Sequence, residues 1–316
     1  MSIAGRKSSA RSATPATITG SSLRRNKMLL VVGSSGLVGQ SIVRCFREGG
    51  RPVCTASHGV DADLHLDLSS PDLKLGDLRS RGIRYAIICS GIANVDRCAR
   101  EQALTWEFNV ERMVALIAGL QGQGVIPIFC SSDLVFAGDR GGYRETDRPT
   151  PATEYGRQKK AIEEFLASRG KPYGVLRMSK IYSAVPVKGS VVHETLTALR
   201  SGTVRAATDQ VIVPTLADDL ARTVMAIMDR GLSGVFHVSP HERYFRYDFV
   251  CRLADAAGIK DQVEACSLDD IAFLEPRPKN LWLNGDETAA RTGVQPVEIA
   301  SMLNAVVARA TAPAAA

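Results

Sequence analysis

The sequence predicts an α/β protein whose core is a doubly wound parallel sheet, with a smaller substrate-binding domain at its C-terminal end. Two observations carry that expectation. From Met28 to Arg177, short apolar runs alternate with longer stretches of helical periodicity. Parallel strands joined by crossover helices leave this pattern. The first run, Met28 to Val32, passes straight into Gly33-Ser34-Ser35-Gly36-Leu37-Val38-Gly39. Strand, glycine turn and helix N-terminus in that order make a cradle for the phosphates of a dinucleotide.

Each element then follows in order. Met28 to Val32 is apolar throughout, as a strand buried on both faces is. The helix after the turn carries Leu37, Val38, Ile42, Val43 and Phe46 and stops at Gly49-Gly50. The glycines allow a tight turn and close backbone approach, so Gly33, Ser35, Gly36, Leu37, Val38 and Gly39 are candidate cofactor contacts. Pro52 to Ala56 reads as the second strand and ends in Ser57-His58. A carboxylate there binds the ribose diol of NAD and repels the extra phosphate of NADP. Its absence favours NADP, with NAD still open, and makes Ser57 a candidate contact. Asp61 and Asp63 stand past the expected strand end. Leu64 to Leu68 reads as a third short strand. Asp67 at its tip either accepts a hydrogen bond from an adenine or caps a helix after Ser69-Ser70.

Tyr85 to Cys89 is the next strand, and Ser90-Gly91 at its end are small enough to let a cofactor pass closely. Residues 101–121 predict one helix with Leu104, Phe108, Met113, Leu116, Ile117 and Leu120 inward. Asn109 lies among them and needs partners, as a structural tie or as the holder of a water. Val125 to Cys130 is a strand that delivers Ser131-Ser132, and Tyr173 to Arg177 is another. Past Ile181 the pattern loosens into a loop (183–190) and a helix (Val191 to Arg200). A capped helix (Leu216 to Arg230), a strand (Val235 to Val238) and a helix (Tyr247 to Ala257) follow. Glu275 to Asn280 is a basic, proline-stiffened loop. The expected division is an NAD(P)-binding Rossmann-type domain at 28–183, completed by 212–240, with a substrate-binding domain from 184–211 and 241–310.

The apolar fraction of 45% and charged fraction of 23% are those of a water-soluble globular chain. No apolar run approaches the roughly 20 residues of a membrane span. The net charge of +6 suggests nucleic acid, but its placement argues against that. Arg6, Lys7, Arg11, Arg24, Arg25 and Lys27 fall in an acid-free segment, and the remaining 33 basic residues balance 33 acidic ones. Residues 1–27 lack apolar periodicity and read as a disordered basic tail, with an organelle transit peptide as the minor alternative. The terminal TAPAAA reads as unstructured. The seven cysteines are scattered and show no metal-ligand spacing. They fit small core residues of a reduced, cytoplasmic protein. His193, His237 and His241 form no ligand set with nearby acids, so no metal is expected.

Chemistry concentrates between Ser131 and Lys159. Tyr155 and Lys159 are four apart at the start of a helical pattern, so they project side by side. A neighbouring ammonium favours the phenolate, and a phenol so tuned can protonate a carbonyl oxygen. The Ser132 hydroxyl can hydrogen-bond the same oxygen. This is equipment for reducing a ketone once a hydride is supplied.

These motifs together resemble the extended short-chain dehydrogenase/reductases, and most of all the dTDP-4-dehydrorhamnose reductase family. The resemblance rests on GSSGLVG, LDL at 66–68, SSDLVF followed by Gly138, Tyr155-x-x-x-Lys159, LRMSKIY at 176–182, DQVIVPT at 209–215 and Arg277-Pro278. It implies Ser132, Tyr155 and Lys159 as the catalytic set, with Lys159 also holding the nicotinamide ribose. It implies cofactor contacts from Gly33, Gly36, Leu37, Val38, Asp67, Leu68, Ser90, Gly91 and Ser131, with Ser179 near the carboxamide. Arg277 becomes a candidate phosphate contact for the substrate beside Ser132 and Tyr155. The family usually has an aromatic at Leu134 and Asn-Ala-Ala at Cys89-Ser90-Gly91. The implied activity is NAD(P)H-dependent reduction of a nucleotide-linked 4-keto sugar. The alternatives are an NAD-dependent epimerase and a non-catalytic NADP-binding regulatory subunit. The implied partner is a nucleotide-sugar substrate, with no nucleic acid and no membrane; a homodimer is allowed.

Overall fold

The computed structural model describes residues 27–59, 61–70, 72–259 and 261–311. The expected disordered tail, apart from Lys27, and the last five residues lie outside the described residues. The chain runs through β1 (Met28–Val32), α1 (Leu37–Glu48), β2 (Val53–Ser57), β3 (Leu64–His65) and β4 (Ile83–Ile88). Short helices α2 (Val95–Arg100) and α3 (Gln102–Trp106) precede α4 (Arg112–Gly122), β5 (Ile126–Cys130), α5 (Glu154–Ser168) and β6 (Gly174–Met178). Next come β7 (Lys180–Tyr182), α6 (Val191–Ser201), β8 (Val204–Ala207), β9 (Val211–Ile212), β10 (Pro214–Leu216), α7 (Ala217–Arg230) and β11 (Gly234–Val238). The remainder is β12 (Tyr244–Phe245), α8 (Arg246–Ala256), β13 (Val263–Cys266), α9 (Asp286–Thr292) and α10 (Leu303–Thr311).

Seven strands form one sheet in the order β11-β6-β5-β4-β1-β2-β3, every neighbouring pair parallel. The expected doubly wound fold is therefore present. Its strand order reverses between β1 and β4, which is where ligands bind in such sheets. Leu30, Val32, Ala86 and Ile88 pack one face against Met113, Leu116 and Leu120 of α4 and Ile162 and Leu166 of α5. Leu29, Val31 and Ile87 pack the other against Ile42 and Phe46 of α1 and Leu220, Val224 and Ile227 of α7. Both faces are dry, which is why the strands read as unbroken apolar runs. A third apolar cluster joins α6, α8 and α10 through Leu196, Leu199, Phe249, Leu253, Val306 and Val307.

Some expected elements differ. The single helix at 101–121 is three pieces, with a π-helical turn at Glu107–Glu111 between α3 and α4. That turn breaks the 3.6-residue period, and Leu104, expected inward, is 51% exposed. The third strand stops at His65, leaving Asp67 in a turn. No helix follows Ser69-Ser70 among the described residues. The helix expected from Leu216 begins at Ala217 and has no side-chain cap.

Candidate active site

The glycine turn brings β1 into α1 without a side-chain cap and without an acid in the first turn. The N-terminus of α1 therefore presents free N–H groups and the positive end of its dipole. Gly39 explains the third glycine. A Cβ there would lie 2.2 Å from the Gly33 carbonyl oxygen, so only glycine lets the helix seat on the turn. Gly39 serves packing and does not line the cavity beside it.

Two adjoining cavities follow the C-terminal ends of the strands. The first, about 480 Å³, is lined by Gly33, Ser35 and Gly36 on one side and by Ser57, Asp67 and Leu68 on the other. The second, about 300 Å³, is lined by Leu37, Val38, Ser131, Ser132, Tyr155, Lys159 and Ser179. Cys89, Ser90 and Gly91 belong to both, so the two form one trough across the sheet's switch point. Every candidate cofactor residue except Gly39 lies along it. Asp67 accepts from the Ser69 backbone N–H at 2.9 Å and from its hydroxyl at 2.6 Å, which holds its carboxyl below the usual range. This is a turn closure, and the helix-cap alternative falls away because no helix follows.

At the deep end, α5 starts with Thr153 accepting from the Gly156 N–H. Gly156 lets that start sit on the Asp133–Val135 turn, because a Cβ there would lie 2.0 Å from the Leu134 carbonyl oxygen. The contact sets Tyr155 over the Ser132 turn. The Tyr155 ring is buried, and its hydroxyl finds no hydrogen-bond partner among the described residues. Lys159 donates to the Cys130 carbonyl at 2.9 Å, and its charge lies 5.5 Å from the Tyr155 ring centre. The expected easing of Tyr155 ionisation is not found. Burial first, and then the charge of Asp133, push the phenol above its usual range. Burial likewise pulls the Lys159 ammonium below the usual lysine range. Desolvation is the largest effect on both groups, and the phenol stays protonated.

Ser132 donates to Asp133 at 2.9 Å and accepts from the Leu134 N–H at 3.2 Å. Ser131 donates to Glu163 at 2.5 Å, and Glu163 is fully engaged with Arg177, 2.6 Å away. Arg177 reaches His237 Nε2 at 3.2 Å, and His237 Nδ1 lies 3.1 Å from the Asn284 carbonyl. This buried chain ties the ends of β5, β6 and β11 to α5. Asn109 resolves as a structural tie. It accepts from the Ile92 N–H at 2.8 Å and donates to the Ile92 carbonyl at 2.9 Å and to Gln158 at 2.7 Å. The π-helical turn aims it inward, pinning the loop after β4 to α5.

Several site residues had no signal in the local sequence. Asp133 is buried beneath Ser132, and burial raises its carboxyl. Lys180 lines the deep cavity. The residue as a whole is exposed, yet desolvation lowers its ammonium; Arg246 and Arg277 lower it further, and the Asp133 charge opposes them. Arg246 lies outside that lining; desolvation lowers it, it donates to Gln210 at 3.3 Å, and it has no ion pair among the described residues. Arg277 lies outside the deep cavity's lining and pairs with Asp96 at 2.7 Å. Near the end of β2, a separate cavity joins Ser35, Ser57 and Gly59 to Arg44, Arg47 and Asp61. Arg44 is committed to Asp218, whereas Arg47 has no ion pair among the described residues. Asp63 is held by the Thr55 N–H and hydroxyl, each at 2.8 Å, and is not part of that cavity's lining. Among the described residues no group of three or more metal-ligating side chains occurs, and no helix is long and apolar enough to cross a membrane.

With this geometry in hand, the comparisons are specific. The family model for the RmlD substrate binding domain matches residues 27–312. A probable low-salt glycan biosynthesis reductase of Haloferax volcanii is 28% identical over 274 residues, covering 83% of this chain and 91% of that protein. The methionine adenosyltransferase 2 subunit beta of Danio rerio is 26% identical over 240 residues, covering 73% of this chain and 74% of that protein. A crystal structure of dTDP-4-dehydrorhamnose reductase from Bacillus anthracis in complex with NADP superposes with a TM-score of 0.79 at 20% identity, covering 90% of this chain and 98% of that one.

Proposed function

The chain belongs to the RmlD substrate-binding-domain family, and from that premise we propose that it is an NADPH-dependent reductase of a nucleotide-linked 4-keto sugar. The observation that carries the reading is the single trough that places Ser132, Tyr155 and Lys159 at its deep end and the uncapped α1 turn at its other end. The residues fit a dinucleotide: an anion-binding helix start, small residues at Ser90-Gly91, and a lysine at the catalytic end. A dinucleotide held along Gly33, Gly36, Ser90-Gly91 and Lys159 would supply the hydride for the substrate carbonyl carbon.

The remaining work falls to side chains. Ser132 hydrogen-bonds the carbonyl oxygen and orients it. Tyr155 gives that oxygen a proton as negative charge develops on it. A phenol raised by burial is still a far stronger acid than the alcohol being formed, so the transfer runs downhill. Lys159, fixed by the Cys130 carbonyl, holds the ribose and steadies the phenolate left behind. Lys180 lines the deep cavity, with Arg246 and Arg277 acting on it by charge and Asp133 opposing them, and neither Lys180 nor Arg246 has an ion pair among the described residues. Those cations suit the diphosphate of a nucleotide-linked substrate. Arg47 beside Ser57 suits the 2′-phosphate of NADP.

The test is NADPH oxidation by the purified protein against a panel of nucleotide-linked 4-keto sugars, with product analysis. Net reduction supports the reading. An epimerised product with no net cofactor consumption would establish the epimerase instead. A second reading, a regulatory NADP-binding subunit, rests on the likeness to methionine adenosyltransferase 2 subunit beta proteins. Tight dinucleotide binding, no turnover of any sugar, and a stable complex with a methionine adenosyltransferase would favour it.

A further inference from the structure

Cys89 and Cys130 end adjacent parallel strands one residue past the paired Ile88 and Phe129. By strand alternation both side chains fall on the sheet face packed by α1 and α7. Their sulfurs are 3.7 Å apart, Cys130 donating to Cys89. Both line the deep cavity, and Cys89 also lines the adjoining one. We propose that this thiol pair is an oxidation-sensitive site in the floor of the dinucleotide trough, and that its conversion to a disulfide blocks cofactor binding. The blocking half of the inference rests on the dinucleotide reading above.

The geometry is close to what a disulfide needs. Neighbouring strands lie about 4.8 Å apart, inside the roughly 4.4–6.8 Å span of bridged Cα atoms. Closing to a sulfur–sulfur bond of about 2.05 Å takes side-chain rotation and a small shift of the strand ends. That shift falls on Ser90-Gly91, on Ser131-Ser132, and on the Cys130 carbonyl that fixes Lys159. The shared proton, and then burial, raise the Cys89 thiol, while the Lys159 charge opposes them. The pair therefore calls for a strong two-electron oxidant such as hydrogen peroxide. Cys89, the less buried residue of the two, attacks the peroxide oxygen, giving a sulfenic acid and one water. The Cys130 sulfur then displaces the second water from that sulfenic acid, so two thiols and one peroxide yield one disulfide and two waters. A bound dinucleotide covers Cys89 and slows the first step.

The experiment treats the full chain with hydrogen peroxide, blocks residual thiols and maps linked peptides by mass spectrometry. NADPH affinity is measured before oxidation, after it, and after dithiothreitol. The expected result is a Cys89–Cys130 linkage, at least a tenfold loss of NADPH affinity, recovery on reduction, and slower linkage with NADPH present. Cys89→Ala and Cys130→Ala, each compared with its own untreated affinity, should keep NADPH binding after peroxide. Absence of the linked peptide under exhaustive oxidation overturns the inference, as does full NADPH affinity in quantitatively linked protein. Reduced protein that binds no dinucleotide overturns the functional reading instead, and the peptide map still reports the pair.

Discussion

The Lys159 ammonium is hydrogen-bonded to the carbonyl of Cys130, 2.9 Å away, and not to the Tyr155 hydroxyl four residues before it. The lysine's place is thus set by the end of β5. The tyrosine's place is set separately, by the seat of α5 on the Asp133–Val135 turn. Removing the phenol hydroxyl should leave the lysine where it is. Tyr155→Phe is expected to bind NADPH with unchanged affinity and to lose about 10²–10⁴-fold in kcat, the usual worth of one general acid. Stopped-flow turnover beside a binding titration checks it. Near-normal turnover would assign the proton to another group.

Cofactor choice follows from the adenosine end. Arg47 and Asp61 line one cavity with Ser57, and their charges act oppositely on a 2′-phosphate. Arg47→Ala should weaken NADPH binding about tenfold, the scale of one charge-assisted hydrogen bond, and leave NADH unchanged. Asp61→Asn should tighten NADPH. Ser57→Asp should turn the preference towards NADH, by offering the diol an acceptor and the phosphate a like charge. Titrating both cofactors into each variant decides it, and a wild type that strongly prefers NADH would refute the assignment.

Arg246 acts by charge on Lys180 of the deep cavity, and Arg246→Gln removes a cation that has no ion pair among the described residues. KM for the nucleotide-linked substrate should rise about tenfold or more, with NADPH affinity unchanged and no loss of thermal stability. A fall in stability with KM unaltered would make Arg246 a structural residue.

The fold was legible because parallel strands buried on both faces leave apolar runs that nothing else in a soluble chain leaves. The glycine turn was legible because its meaning is local: helix seating and anion approach depend on consecutive residues. What escaped depends on distance. Arg47 reaches the cavity beside Ser57 from α1, whereas an arginine for a 2′-phosphate is sought after β2. Lys180 and Arg246 come together from β7 and α8, 66 residues apart in number, and neither carries a marker. Leu104 was placed inward because a periodicity argument cannot see the π-helical turn that shifts phase at Glu107. Tyr155 and Lys159 were recognisable by spacing, but their proton affinities were not, because burial depends on the assembled site.

The seat of α5 gives a structural prediction. Gly156→Ala places a methyl against the Leu134 carbonyl oxygen, 2.0 Å from the ideal Cβ position. Backbone must move, at about 1–3 kcal/mol for overpacking of this kind. The movement carries Tyr155 away from Ser132, so kcat should fall with the melting temperature. Gly122→Ala serves as the control, because a Cβ there meets nothing within 4 Å. A stable, fully active Gly156→Ala protein would show that the contact does not position the tyrosine.

His237 supplies a pH dependence whose sign can be worked through. It is buried, with Arg177 against Nε2 and the Asn284 carbonyl against Nδ1. Those partners require the neutral ring with its proton on Nδ1. Burial, then the Arg177 charge, lower its pKa from 6.5 to about 3. Between those values the unfolded chain binds a proton that the folded chain refuses, so stability rises with pH across this window. The contribution is full above 6.5 and drains away as pH falls towards 3, at up to about 1.4 kcal/mol per pH unit. Asp219 acts the other way. Burial raises it from 3.8 to about 6, so it favours the folded state most below 3.8 and loses that effect as pH rises through 6. Between 3.8 and 6 the two slopes are equal and opposite, one proton each, so the histidine's share is read from the difference between a His237 variant and the wild type. Replacing His237 with Gln keeps an acceptor for Arg177 and removes the titration. Urea unfolding from pH 7 to pH 4 should then show a shallower loss of stability in the variant than in the wild type. Parallel curves would mean that His237 is already protonated in the folded protein, and that the Arg177 contact does not hold it neutral.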